Sequence, residues 1–233
     1  MSTSSIHSPT SPLTSAPHEP EGVIELRDFG WKNYLRLYRL LEGRRSPKLI
    51  YLDGDLTLLS PISFEHEFSS RSLFLTVLEV ALGLDIPIAY AGQTTFRRRS
   101  KRVAVQGDET FYLGANESLI RGKKRIDLRN DPPPDLAIEV VVTHPADKSV
   151  RIWKRLGVRE IWIVNDRGML ILSRNDDGTY ADVQVSLVLP TLSAVEIHDW
   201  ATRSTATAEN VWLLDLRTWV RDVLIPRAAQ NGD

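Results

Sequence analysis

The feature that most constrains the fold is a strand–helix–strand pattern over residues 135–164. The stretch "DLAIEVVVT" (135–143) has the apolar, β-branched character of a buried strand, and "DKSVRIWKRL" (147–156) has helical spacing and stops before Gly157. The stretch "VREIWIV" (158–164) then resembles a second strand. Two strands joined by a crossover helix form a right-handed parallel unit. The sequence therefore predicts an α/β fold with a parallel strand pair.

The rest of the chain predicts further helices and strands around this unit. The Asp53-Gly54 pair lies between two β-rich runs and predicts a two-residue hairpin turn. Apolar spacing predicts helices over 28–41, from Ser63 onward, and over 206–224, and short strands are expected at 86–91, 94–97 and 110–113, with a meander after 168. We expect one α/β (α+β) domain with a central mixed β-sheet flanked by helices.

Composition limits the class of protein. Residues 1–21 are rich in Ser, Thr and Pro and lack an apolar signal segment, which predicts a disordered tail on a cytoplasmic protein and a folded domain over 22–229 that ends in a helix. The most apolar helical stretch is short and contains Glu79, so we expect no membrane span. The absence of Cys excludes disulfides and thiol chemistry, and the 29 basic residues nearly balance the 30 acidic ones.

Two carboxylates interrupt the apolar strand at 135–143. Asp135 and Glu139 point to the same face but lie roughly 13 Å apart along the strand, too far to bind one ion together. Asp108, in "VQGDETFYL", begins another β-like run and would lie beside Glu139 if the two strands pair. Two carboxylates at a strand end form an oxygen site suited to Mg²⁺ or Mn²⁺. A nearby Lys would then stabilise charge on an attacked phosphate.

Several motifs together resemble a known family. In order, they are "GDLTLLSPISFEHE", "GQTTFR", "GDETFYL", "PPPDLAIEVVVT" and "LGVREIWIV". This series, from about Asp53 to Trp162, is similar to the Uma-two endonucleases, bacterial members of the PD-(D/E)xK restriction-endonuclease-like superfamily. The resemblance implies a restriction-endonuclease-like central mixed sheet, a metal-dependent nuclease site and DNA as the partner.

The resemblance also implies roles for individual residues. Asp108 matches the motif Asp, in "GD" rather than "PD", and Glu139 matches the acidic residue of the E-x-K element; both would bind Mg²⁺ or Mn²⁺. Glu67, and with it His66, matches the polar "HE" positions on the preceding helix. The resemblance thus predicts hydrolysis of DNA phosphodiester bonds with Glu67 assisting from the helix.

The Lys departs from the family pattern. Val141 stands two residues after Glu139, where the strand Lys is usual, and the resemblance places a displaced Lys on the following helix. Lys148 is the nearest match, although Ser149 stands at the expected spacing. Arg151 and Lys154 are the alternatives on the same helix. A domain that kept the fold and lost the Lys, acting as a nucleic-acid-binding or protein-interaction module, is therefore the competing hypothesis.

Structural roles compete with chemical ones at several positions. Asp135, after three prolines, is expected to be structural, and Glu67 could form a helical ion pair with Arg71. The basic clusters at 97–102 and 121–125 could attract a phosphate backbone or remain solvated loop charges. The Trp stripe in the C-terminal helix could belong to the core or to a homodimer interface.

Overall fold

The computed structural model describes residues 22–42, 44, 47–59, 64–142 and 146–231. The tail predicted to be disordered, residues 1–21, lies outside the described residues. The helices are α1 (Trp31–Leu40), α2 (Phe64–Gly83), α3 (Ala115–Ile120), α4 (Asp147–Leu156), α5 (Ala194–Ala206), α6 (Glu209–Trp219) and α7 (Ile225–Asn231). None of these helices, within the described ranges, has the length and apolar character that a membrane crossing requires.

Eleven strands form two sheets in the part of the chain that the structure describes. The strands are β1 (Val23–Leu26), β2 (Lys48–Leu52), β3 (Asp55–Leu59), β4 (Ile88–Tyr90), β5 (Thr95–Arg98), β6 (Val103–Gln106), β7 (Glu109–Leu113), β8 (Leu136–Val140), β9 (Glu160–Asn165), β10 (Gly168–Arg174) and β11 (Tyr180–Val183). One sheet has the order β1-β3-β2-β6-β5 and is antiparallel, and the other has the order β11-β10-β9-β8-β7-β4.

The second sheet is mixed because β8 and β9 pair in parallel, whereas its other neighbours are antiparallel. The α4 crossover joins these two strands, which confirms the predicted parallel unit. The predicted hairpin is also present: Leu52 pairs with Asp55, and both turn residues, Asp53 and Gly54, have positive φ. The expected α/β domain with a central mixed sheet flanked by helices is confirmed.

The elements stack in layers around the mixed sheet. One face of this sheet, with Ile138 and Trp162, packs on α2, α5 and α6. The other face, with Ala137 and Ile163, packs on α4 and on the antiparallel sheet. The helix α1 covers the outer face of the antiparallel sheet through Tyr34. The two sheets therefore meet along a seam, and β2 and β8 face each other across it.

Several elements differ from the prediction. The strands β1 and β6 and the helices α3 and α5 were not expected, and the C-terminal helix predicted over 206–224 begins at Glu209, after the extended residue Thr207 that follows α5. The start of α5 has a local signal in the sequence, since Ser193 and Glu196 form a reciprocal capping box. A π-helical segment over Val220–Leu224 then changes the phase of the C-terminal stripe.

Candidate active site

Strand register places Asp108 next to Glu139. Glu109 pairs with Ile138 and Thr110 with Ala137 in the antiparallel β7–β8 ladder, so the ladder extended by one residue sets Asp108 opposite Glu139. The amide of Asp108 donates to the carbonyl of Ile138 at 3.2 Å, and the amide of Val140 donates to Asp108 Oδ2 at 2.8 Å. The backbone of β8 therefore fixes both carboxylates at one end of the mixed sheet.

A lysine from the other sheet joins the two carboxylates. The first residue of β2, Lys48, places its Nζ 2.9 Å from Asp108 Oδ1 and 3.3 Å from Glu139 Oε2. All three side chains are buried. A charged Lys is almost never buried without partners, so this contact across the seam is a specific ion-pair arrangement. The two carboxylates thus share one cation.

The pKa values of the three groups show how strongly they interact. Burial opposes the charge of Lys48, but Asp108 and Glu139 outweigh it and raise the pKa of the ammonium above its usual range. Burial also opposes the charge of Asp108 and would raise its pKa. The charge of Lys48 and the contact with His66 nevertheless hold the pKa of that carboxyl below its usual range. For Glu139, burial dominates and raises the pKa of the carboxyl to about 7, with Asp108 adding to the rise.

Two further side chains orient the carboxylates. His66, in the first turns of α2, brings Nε2 to 3.3 Å from Asp108 Oδ2. Trp153, in the middle of α4, donates from Nε1 to Glu139 Oε1 at 2.6 Å. We call Lys48, His66, Asp108, Glu139 and Trp153 the active-site cluster. Its members come from both sheets and from helices on opposite faces of the mixed sheet.

The glycine of the "GD" motif makes room for this cluster. A Cβ on Gly107 would lie 2.9 Å from Thr110 Cγ2 and 3.0 Å from Trp153 Cζ2. Such distances require the indole or the strand to shift. The large Trp153 ring fills the space that a side chain at position 107 would need. A glycine therefore fits before Asp108 better than the proline of the "PD" pattern.

The helix α4 turns Lys148 away from the pair. The ammonium of Lys148 binds the carboxylate of Glu25 and the hydroxyl of Thr57, the latter at 2.8 Å. Ser149, at the spacing where the family resemblance places the Lys, is buried and shares the inward face of α4 with Trp153.

The remaining predicted residues are distributed as follows. Glu67 is exposed and forms no ion pair with Arg71 in the described part of the chain, whereas its neighbour His66 reaches Asp108. Arg151 and Lys154 are exposed on α4. Asp135 is buried and accepts hydrogen bonds from the Leu113 amide and the Asn116 side chain. These bonds, at 2.8 and 2.7 Å, tie the start of β8 to the end of β7.

Sequence reasoning missed Lys48 and Trp153. A signal for Lys48 is present in "KLIYLDGD", since Lys48 shares one face of the strand with Ile50 and Leu52, which pack toward the mixed sheet. A charged residue at the inward register of an apolar strand needs a partner, but the partner cannot be identified without the packing of two sheets. For Trp153 the signal is weaker, because a Trp on the apolar face of a helix is ordinarily a core residue.

The donor set fits a hard divalent cation. Asp108 Oδ1 and Glu139 Oε2 point at one position, which Lys48 Nζ reaches, and both are the carboxylate oxygens that Mg²⁺ and Mn²⁺ prefer. No group of three or more His, Cys, Asp or Glu that could hold a metal occurs among the described residues. A bound Mg²⁺ ordinarily keeps waters and substrate phosphates beside one or two carboxylates, so two protein ligands suffice.

Comparison with protein families identifies the family of this chain. A family model described as Uma2, "Putative restriction endonuclease", matches residues 31–207, well over half of the 233 residues. The chain belongs to the Uma2 family. The match includes every member of the active-site cluster. The family assignment confirms the resemblance seen in the sequence and supports a nuclease.

The chain was also compared with solved structures and with curated proteins. A crystal structure titled as "a putative nuclease belonging to DUF820" from Anabaena variabilis is 13% identical to this chain, with a TM-score of 0.47. The alignment covers 66% of this chain and 92% of that one. A search of curated proteins found no match.

Proposed function

We propose that this Uma2 protein is a metal-dependent endonuclease that hydrolyses DNA phosphodiester bonds at the active-site cluster. The observation that carries the proposal is the shared cation: Asp108 Oδ1 and Glu139 Oε2 lie 2.9 and 3.3 Å from one ammonium nitrogen. Carboxylates that share a cation this closely can share a divalent ion. Mg²⁺ or Mn²⁺ is the proposed cofactor, and DNA is the proposed substrate.

Each residue of the cluster has a defined part in this chemistry. Asp108 and Glu139 would hold the ion, and a bound Mg²⁺ supplies charge neutralisation for the attacked phosphate and a more acidic water. Lys48 provides the ammonium that the "VVVT" strand lacks and, once the ion lies between the carboxylates, would stabilise negative charge on the phosphate oxygens. His66 and Trp153 are positioning residues, because each contacts one carboxylate through a ring nitrogen.

Plasmid cleavage tests the proposal. Supercoiled plasmid is incubated with Mg²⁺ or Mn²⁺ and wild type, Asp108→Asn, Glu139→Gln or Lys48→Met, and each variant is first shown to be folded by circular dichroism. We expect cleavage by wild type and a loss of at least 100-fold in all three variants. Folded wild type that cleaves no substrate with either metal would refute the proposal.

The same assay tests the two catalytic residues predicted only from the sequence. Lys148→Ala and Glu67→Ala remove side chains that contact neither carboxylate in the described structure. We expect both variants to cleave within threefold of wild type. If Lys148→Ala were as inactive as Lys48→Met, the assignment of the ammonium to Lys48 would be incorrect.

A second function has one specific observation in its favour. The Nζ of Lys48 occupies the position between the carboxylates that an ion would take, and Ser149 stands where the family pattern expects a Lys. A domain whose lysine closes the ion site would bind nucleic acid or protein without cleaving. Isothermal titration with Mn²⁺ distinguishes the two, since the inactive domain binds no ion at Asp108 and Glu139.

We also propose that the protein forms the homodimer predicted from the C-terminal Trp stripe. Trp212 and Leu216 of this stripe are buried in the core of the protomer, whereas Val211 and Leu214 are exposed on the same helix. Light scattering coupled to gel filtration measures the mass directly. A mass near 26.3 kDa at all concentrations would exclude the dimer.

A further inference from the structure

A cleft of about 520 Å³ is lined by residues of α1, β5 and the segment that follows α3. Its wall includes Pro47 and Leu49, the two neighbours of Lys48 in the chain, and Gln106, which precedes Asp108 by two residues. The cleft therefore adjoins the two strands that bring the ammonium and one carboxylate together.

The wall of this cleft is strongly cationic. It contains Arg44, Arg97, Lys123, Lys124 and Arg125, and the one acidic residue in its described lining is Glu42. We call this the basic cleft. Arg44, Lys124 and Arg125 are exposed and form no ion pair in the described ranges, so their charges remain available. Part of each basic cluster seen in the sequence thus converges on one surface.

Three aromatic side chains also line the cleft, Tyr38, Tyr90 and Tyr112. Tyr112 is buried and the guanidinium of Arg97 lies 4.6 Å from the centroid of the Tyr38 ring, whereas Tyr90 is 48% exposed. The Tyr90 ring packs against Phe74, with centroids 4.6 Å apart, and against Phe111. A half-exposed ring held rigidly in a cationic groove is a surface on which an unpaired base can stack.

We infer that the basic cleft binds single-stranded DNA. A cationic groove that also exposes an aromatic ring is the combination that tracks a single strand, whose bases have free faces. A duplex stacks its bases on one another and offers no face to Tyr90. The cleft volume also lies within the range of about 300–1,000 Å³ typical of pockets for small ligands, which suits unpaired nucleotides better than a duplex. The identity of the ligand as DNA rests on the proposed function.

Fluorescence anisotropy in EDTA tests this inference without any cleavage. The probes are a fluorescein-labelled 15-nucleotide oligothymidylate, the same strand annealed to its complement, and an RNA strand of equivalent sequence. The variant is Lys124→Glu/Arg125→Glu, and the matched control is Lys32→Glu/Arg167→Glu. The control changes one exposed Lys and one exposed Arg that lie outside the cleft wall. Thermal melts verify that both double variants are folded.

We expect wild type and control to bind the single strand at least tenfold more tightly than the duplex. The cleft variant should lose at least tenfold in affinity, and its slope of log K against log[salt] should fall by about 1.4, since each phosphate contact on a single strand contributes about 0.7. Tyr90→Ala should lose about tenfold and Tyr90→Phe should bind like wild type, because stacking requires the ring and not the hydroxyl.

Three results would overturn the inference: equal binding of single strand and duplex, equal loss in the cleft variant and the control, or RNA bound tenfold more tightly than DNA. Failure of the nuclease proposal is a separate result. A protein that binds the single strand through the basic cleft but cleaves nothing with Mg²⁺ or Mn²⁺ would retain this inference and lose the catalytic one.

Discussion

At the scale of single residues, the ammonium of Lys48 lies within ion-pair distance of both Asp108 and Glu139. A buried lysine between two buried carboxylates balances part of their charge, and removing one partner of such a group leaves uncompensated charge in a poorly solvated site. The same position that makes Lys48 a candidate catalytic group also makes it a structural one. Stability and activity must therefore be measured separately in its variants.

We predict that Lys48→Met destabilises the metal-free protein by about 3–5 kcal/mol at pH 8, because Asp108 and Glu139 then face each other without a cation. Urea unfolding in EDTA measures this change. Lys32→Met, at an exposed position of α1, serves as the control and should change the free energy of unfolding by less than about 0.5 kcal/mol. Equal stability of Lys48→Met and wild type would show that the lysine does not compensate the carboxylates.

The raised pKa of Glu139 predicts a specific dependence of stability on pH. Since this pKa is about 7 in the folded protein and 4.5 in its ordinary state, the folded state holds the proton more tightly. The resulting stability is complete below pH 4.5 and is lost as the pH rises through 7. Between pH 4.5 and 8, wild type should lose about 3 kcal/mol relative to Glu139→Gln, which has no proton to release.

Urea unfolding of both proteins in EDTA at pH 4.5 and pH 8 measures this difference. Glu67→Gln, which replaces an exposed carboxyl, is the control. A wild type that gains stability relative to Glu139→Gln as the pH rises would reverse the sign and exclude a raised pKa.

At the scale of elements, α4 and the start of β7 fit together through Gly107 and Trp153. The indole of Trp153 occupies the space above Gly107 and at the same time donates to Glu139, so one side chain both packs the helix and orients a carboxylate. Through this contact α4 orients Glu139, although the helix places no ammonium near the two carboxylates.

We predict that Gly107→Ala destabilises the protein by about 1–3 kcal/mol, because the new Cβ would approach Thr110 and Trp153 to 2.9 and 3.0 Å. Trp153→Phe removes the indole edge, so the double variant should lose less than the sum of the two single changes. Urea unfolding of the four proteins forms a double-mutant cycle. Additive losses would show that Gly107 and Trp153 do not interact.

At the scale of the whole molecule, the active-site cluster lies at the seam between two sheets. Lys48 belongs to the antiparallel sheet, whereas Asp108 and Glu139 belong to one end of the mixed sheet. An ion bound at the cluster would therefore stabilise the packing of both sheets, and ion binding should be visible as global stability.

We predict that Mn²⁺ at 100 times its dissociation constant raises the free energy of unfolding by about 2.7 kcal/mol. For a domain of this size the thermal midpoint should rise by about 5–10 °C. Chelation should reverse the shift, and Asp108→Asn and Glu139→Gln should abolish it. A shift of the same size in Glu139→Gln would place the ion elsewhere on the protein.

The sequence by itself determined the elements whose signals are local. The parallel β8–α4–β9 unit, the Asp53-Gly54 hairpin and the long α2 helix follow from hydrophobic period and turn chemistry, which neighbouring residues fix. The proximity of Asp108 and Glu139 was predicted on the condition that their strands pair, and the β7–β8 ladder meets that condition. Local periodicity gave no indication of α5, whose capping residues Ser193 and Glu196 are the signal that was overlooked.

Only the tertiary structure decided which ammonium reaches the carboxylates. Lys148 is close to Glu139 in the chain, but the turn of α4 directs it to Glu25, while Lys48 is 60 residues from Asp108 and meets it across the seam. Sheet-on-sheet packing sets this contact, and no local pattern encodes it. The basic cleft arises in the same way, because it combines side chains that are distant in sequence on one surface.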